Sequence, residues 1–135
     1  MKDKLFIDTN VLVYTYSNSE PAKQSIARKL VEKNDAYIST QVLQELVNTI
    51  TRKLNYSFTN ALMVVNECSR NNLIHINTNS TIIKACNIAQ EYKFSFYDSL
   101  IVAAAIECNC SFLYTEDMHN GLIIDGSLTI INPFI

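Results

Sequence analysis

The chain has little of what interrupts structure. It carries two glycines and two prolines in 135 residues, which excludes a flexible linker or a low-complexity segment. No apolar stretch reaches about 18 residues without a polar interruption, and the N-terminus has no signal-type apolar core. A soluble, cytoplasmic protein with no membrane association is therefore expected. No glycine-rich phosphate loop or dinucleotide fingerprint is present, so no nucleotide cofactor is expected. The four cysteines, Cys68, Cys86, Cys108 and Cys110, lack the spacing of a disulfide framework or a zinc pair and read as reduced, mostly buried thiols.

Positive charge is missing from one third of the chain. All eleven Lys and Arg residues lie at or before Lys93. The part up to Lys93 carries eleven basic and eight acidic residues, net +3; residues 94–135 carry five acids and no base, net −5. Overall the charge is −2, which argues against a bulk electrostatic nucleic-acid binder. Asp98 and Asp117 have no cation nearby in sequence, so local ion pairing explains them poorly.

What is present is enough apolar residue, 48%, for one domain spanning residues 1–135. Short apolar runs at residues 4–7, 36–39, 73–76, 111–115 and 128–131 read as strands. Between them lie helical patterns. Asn10 is placed to cap a short helix ending at Tyr16, and Pro21 suits the first turn of a helix running to about Lys33. Thr40 resembles the cap of a helix with Val42, Leu43, Leu46, Val47, Ile50 and Leu54 on one face. Ser57 can cap the next helix, and Asn79 or Ser80 the one ending near Tyr92. Residues 99–108 are apolar nearly all round, so that helix is central and buried. Asp125-Gly126 is a turn. Strands alternating with helices predict an α/β fold with a mostly parallel sheet covered on both faces.

Four carboxylates fall at the ends of these elements. The first strand, ending Phe6-Ile7, stops at Asp8, and a buried strand has no room for an unpaired charge. Asp8 should sit just past the carboxyl end of the strand, where ligands bind in open α/β sheets. Its plainer role is to cap the next helix. Glu45 lies beside the apolar face of the third helix, where a glutamate is often only a solvated flank residue. Asp98 opens the buried helix, and a helix N-terminus favours a carboxylate by capping and by its dipole. Asp117 follows a strand as Asp8 does and is the better candidate; its neighbour Glu116, which points the other way by alternation, is a supporting residue that competes with it for the fourth position. Gathered at one sheet edge, such acids repel, and a divalent cation removes the cost. Magnesium prefers oxygen ligands, and the chemistry that fits is metal-assisted phosphodiester hydrolysis. His75 reads as a structural strand residue, His119 as a loop residue near Asp117, and Gly121 as a turn residue.

On these residues the chain resembles the PIN domain, and within it the toxin subunit of VapBC-type toxin–antitoxin pairs. The matching pieces are Phe6-Ile7-Asp8-Thr9-Asn10, Gln41-Val42-Leu43-Gln44-Glu45-Leu46, Tyr97-Asp98-Ser99-Leu100-Ile101-Val102-Ala103-Ala104-Ala105 and Leu113-Tyr114-Thr115-Glu116-Asp117-Met118. The ending Ile130-Ile131-Asn132-Pro133-Phe134 is similar to many members. The resemblance implies a three-layer fold with a five-stranded, mostly parallel sheet flanked by helices. It implies an Mg²⁺- or Mn²⁺-dependent endoribonuclease acting at Asp8, Glu45, Asp98 and Asp117. Asp8 and Asp98 match direct metal ligands. Glu45 and Asp117 match positions that bind a second ion, hold metal-bound water or help activate the attacking water. Thr9, Asn10 and Thr115 match supporting polar positions. The implied partners are an RNA substrate, a separate antitoxin protein and a second copy in a homodimer. Arg28, Lys29, Arg52, Lys53 and Arg70 are candidates for RNA phosphate contacts. The competing readings are a PIN-like nuclease of RNA processing without a toxin role, and a metal-dependent phosphatase or DNA nuclease on a similar acidic sheet. An aspartyl-nucleophile phosphatase would want an acid where Asn10 stands, and a structure-specific DNA nuclease usually has extra helices.

Overall fold

The computed structural model describes residues 3–32 and 35–135. Six short strands form one sheet. In chain order they are β1 (Leu5–Ile7), β2 (Tyr37–Ser39), β3 (Leu73–His75), β4 (Phe112–Tyr114), β5 (Ile123–Ile124) and β6 (Leu128–Ile131). Six helices connect them: α1 (Thr9–Tyr16), α2 (Pro21–Val31), α3 (Thr40–Lys53), α4 (Phe58–Asn71), α5 (Asn79–Tyr92) and α6 (Phe96–Glu107). The sheet order is β3-β2-β1-β4-β6-β5, parallel except for β5.

That order locates the site. From β1 the chain steps through β2 to β3 on one side, then returns to β4 on the other side of β1. Right-handed crossovers then put α1–α4 and the α5–α6 pair on opposite faces. The reversal between β1 and β4 is a topological switch point, and a crevice opens there at the carboxyl ends of the strands. Register aligns Ile7 with Tyr114, so Asp8 and Thr115 leave the sheet side by side.

The core is mostly apolar. Phe6, Ile7, Ile38, Leu113 and Ile130 on the strands are fully buried, as are Leu46 and Ile50 of α3. Every residue from Ser99 to Ala105 in α6 is buried, as its all-round apolar pattern predicts. This helix packs against α5 and β2.

Several expected boundaries move for identifiable reasons. The sheet has six strands, not five. β5 is only two residues long, too short for alternation to register. It pairs antiparallel with β6 across Asp125-Gly126, both at positive φ (51° and 68°) as a tight hairpin turn requires. Asp8, not Asn10, caps α1, because its Oδ1 accepts from the Thr9 N–H at 2.7 Å. Ser39, not Thr40, caps α3 through the Val42 N–H. Thr78, not Asn79 or Ser80, caps α5, in a reciprocal capping box with Thr81. α6 begins three residues before Ser99, capped by Ser95; Phe96 and Tyr97 are exposed and hide that first turn from an apolar pattern. Ser57 caps α4 as expected. The described part of α2 ends at Val31, and Lys33 lies outside the described residues.

Leu113→Ala in central strand β4 is expected to cost about 2–5 kcal/mol in urea denaturation. A loss below about 1 kcal/mol would contradict the packing described.

Candidate active site

Each acid reaches the crevice by a different local route. Asp8 is the residue at which β1 turns into α1. Its Oδ1 takes the Thr9 N–H and its Oδ2 takes the Thr115 hydroxyl at 2.9 Å. The Asn10 amide lies 3.4 Å from the same Oδ2. All three donors are neutral, and the residue is 5% exposed. Burial pushes its carboxyl up to about 7, against the lowering by the Thr115 and Thr9 hydrogen bonds; the nearby Glu45 and Asp98 charges add to the rise.

Glu45 projects from α3. Its Oε1 accepts from the Thr9 hydroxyl at 2.7 Å, and its Oε2 from the Gln41 amide at 3.3 Å. Gln41 is buried and donates also to the Tyr97 carbonyl at 3.1 Å. That contact ties α3 to the first turn of α6. Asp98 stands in that turn with its N–H on the Ser95 hydroxyl. Burial raises the Asp98 carboxyl above its usual range. The Ser95 hydroxyl opposes this, and the charges of Asp117 and Glu45 reinforce it. Asp117 follows β4 and is exposed; its Oδ2 accepts from the Asn10 amide at 2.9 Å.

All four acids line one cavity of about 570 Å³, together with Thr9, Asn10, Tyr14, Ser17, Ser19, Asn48, Thr49 and Lys53 among others. Asn10 joins its two walls. Its amide donates to Asp117 and to Thr115 Oγ1, and its Oδ1 accepts from the Glu116 N–H at 3.2 Å. Among the described residues, no three His, Cys, Asp or Glu side chains stand close enough to share one ion. The donor set nonetheless suits a hard cation. Carboxylates that raise one another's proton affinity are stabilised by positive charge, and magnesium needs only one or two protein carboxylates besides water.

Other expected residues divide. Thr9, Asn10 and Thr115 support the acids directly. Glu116 does not face them: its carboxylate binds Lys23 and the Tyr14 hydroxyl, which holds it charged below its usual range despite burial acting the other way. Of the basic candidates only Lys53 lines the acid cavity. Arg28 donates to the Thr15 carbonyl at the end of α1, at 3.2 and 3.3 Å. Lys29, Arg52 and Arg70 are exposed and outside that cavity's lining. His75 is structural, with Nδ1 on Asn77 and Nε2 on Glu107, each at 3.0 Å. His119 is exposed, and Gly121 has φ +90°. All four cysteines are free thiols, but Cys86 is exposed and Cys108 half-buried. Sequence reading missed Gln41 and Lys23. Gln41 carried a usable signal, a polar residue one turn before Glu45 on the same helix; Lys23 carried none.

The PIN domain profile matches residues 5–119. The chain belongs to the PIN domain family. Members of this family are generally nucleases and typically metal-dependent. Compared with curated protein sequences, the chain matches none. Solved PIN-fold structures resemble it at low identity. Mycobacterium tuberculosis VapC20, a sarcin-ricin loop cleaving toxin, has a TM-score of 0.69 at 17% identity, over 84% of this chain and 89% of that one. A toxin–antitoxin complex from Klebsiella pneumoniae has a TM-score of 0.69 at 19% identity, over 96% and 97%. FitAcB from Neisseria gonorrhoeae has a TM-score of 0.61 at 16% identity, over 96% and 98%. At these identities the likeness is one of fold.

The raised Asp8 carboxyl has a consequence for stability. A folded-state value of about 7 against an ordinary 3.8 means that the folded state resists ionisation. Metal-free stability is therefore fully present below pH 4 as far as Asp8 is concerned. It falls as pH rises towards 7 and is flat above, by an amount on the order of a few kcal/mol. In chelator, the melting temperature of Asp8→Asn is expected to gain on that of the wild type between pH 4.5 and pH 8. Parallel pH profiles of the two proteins would contradict this.

Proposed function

We propose that this protein is an Mg²⁺- or Mn²⁺-dependent endoribonuclease, the toxin of a type II toxin–antitoxin pair. The observation that carries the proposal is the convergence of Asp8, Glu45, Asp98 and Asp117 on one cavity at the switch point of a PIN domain. No acidic position of the family pattern is missing.

In this reading Asp8 and Asp98 would hold the metal directly, and Glu45 and Asp117 would bind a second ion, hold its water or help activate the attacking water. A bound divalent ion would supply Lewis acidity at the scissile phosphoryl group and lower the pKa of its water. The rest of the work falls to the chain. Thr115 and the Thr9 N–H fix the two oxygens of Asp8. The Thr9 hydroxyl and Gln41 fix Glu45. Asn10 keeps Asp117 turned inward. These neutral donors orient the acids without cancelling the charge that the ion must meet. Asn10 is fully engaged as a strut, which suits a nuclease better than an aspartyl phosphatase with an acid at that place.

Lys53, at the last turn of α3 and on the wall of the same cavity, is the best placed of the basic candidates to hold a flanking RNA phosphate. Binding through it weakens as salt rises. An antitoxin segment would dock in helix-in-groove fashion. The relatives solved as toxin–antitoxin complexes support this. A homodimer is expected by family resemblance. No helix of the described residues is long and apolar enough to cross a membrane.

The test is cleavage of a panel of structured RNAs, with new ends mapped by sequencing. Wild type should cut with Mg²⁺ or Mn²⁺ and stop in chelator. Asp8→Asn and Asp98→Asn should fall by roughly a hundredfold or more while remaining folded. Undiminished cutting by both variants, in preparations free of contaminating nuclease, would overturn the assignment.

A further inference from the structure

Asp117 is the most exposed of the four acids. It lies in the loop after β4 and is exposed. Its own anchors are the Asn10 amide on Oδ2 and the Thr115 hydroxyl, which accepts its N–H at 3.3 Å. A carboxylate on such a loop, facing like charges, lowers its energy by swinging into solvent. Something must hold the loop against that repulsion.

The residue beside it is the one held. The Glu116 carboxylate accepts from the Tyr14 hydroxyl at 2.7 Å and from the Lys23 ammonium. The ammonium also reaches the Tyr14 hydroxyl at 3.3 Å. It sits over the rings of Tyr14 and Phe134, 5.0 and 5.4 Å from their centres, and those rings meet edge to face. The Glu116 N–H, on the same residue, donates to Asn10, the residue that grips Asp117. The ion pair is partly exposed, with side-chain exposures of 30% for Lys23 and 25% for Glu116, so its hold on the loop comes from geometry, two hydroxyl contacts and ring packing as well as charge.

We propose that Lys23 and Glu116 are a positioning pair, which clamps the loop after β4 onto α1 and α2 and so holds Asp117 where it helps retain a divalent cation. The inference rests on the metal-dependent nuclease reading. Neither residue touches the ion. Lys23 acts from the first turn of α2 through Glu116, then Asn10, then Asp117.

Calorimetric titration of the full chain with Mn²⁺, without RNA, separates positioning from mere support of the fold. Lys23→Met and Glu116→Gln are expected to weaken Mn²⁺ binding by about tenfold, in line with the loss of outer partners at metal sites. Their circular dichroism at the titration temperature should match wild type. Lys23→Arg keeps the charge and should bind as wild type does. Glu116→Gln preserves shape and decides the matter even if Lys23→Met does not fold. Wild-type affinity in the folded single variants would overturn the clamp alone. A wild-type protein that binds no Mn²⁺ would overturn the functional reading and the clamp together.

Discussion

A buried carboxylate with only neutral partners governs this molecule. Asp8 sits at the end of a fully buried strand and accepts from a backbone N–H and a hydroxyl, with an amide near by. None of these groups carries charge. A protein selected only for stability would have placed a cation there or an apolar residue. Here a carboxyl is kept and three more acids are brought to the same cavity. A divalent ion bound to the folded state alone would offset that cost.

The fold makes that concentration of charge possible. Parallel strands all deliver their carboxyl ends to one edge, and the reversal between β1 and β4 opens a crevice there. Two acids arrive from strand ends and two from helices, α3 and α6. Polar side chains then lock them in place across the elements: Thr115 to Asp8, Thr9 to Glu45, Asn10 to Asp117 and Gln41 from Glu45 to the first turn of α6. Removing one hydroxyl or amide would leave an acid free to turn away. The buried apolar shell around α6 and the sheet supplies the rigid frame on which these contacts depend.

Much of this was legible in the sequence because it follows from local incompatibilities. An apolar strand ending at Asp8, and another followed by Asp117, can be read without a structure. An all-apolar helix after Asp98 has to be central. The helix caps were less legible, since Ser, Thr, Asn and Asp cluster at each boundary and all can cap. β5 was missed because two isoleucines carry no period. The partnership of Lys23 with Glu116 joins residues 93 positions apart, and nothing local marks either of them. Gln41 is the intermediate case, since its distance of one helical turn from Glu45 was visible but its burial was not.

The central claim is that a divalent cation binds at Asp8 and Asp98 in the cavity that the four acids line, and anomalous diffraction from crystals soaked in Mn²⁺ tests it most directly. The expected result is a manganese peak in the cavity within ligand distance of Asp8 and Asp98, with Glu45 and Asp117 facing its water. A cavity without a peak at saturating Mn²⁺, or manganese bound only elsewhere on the protein, would contradict it.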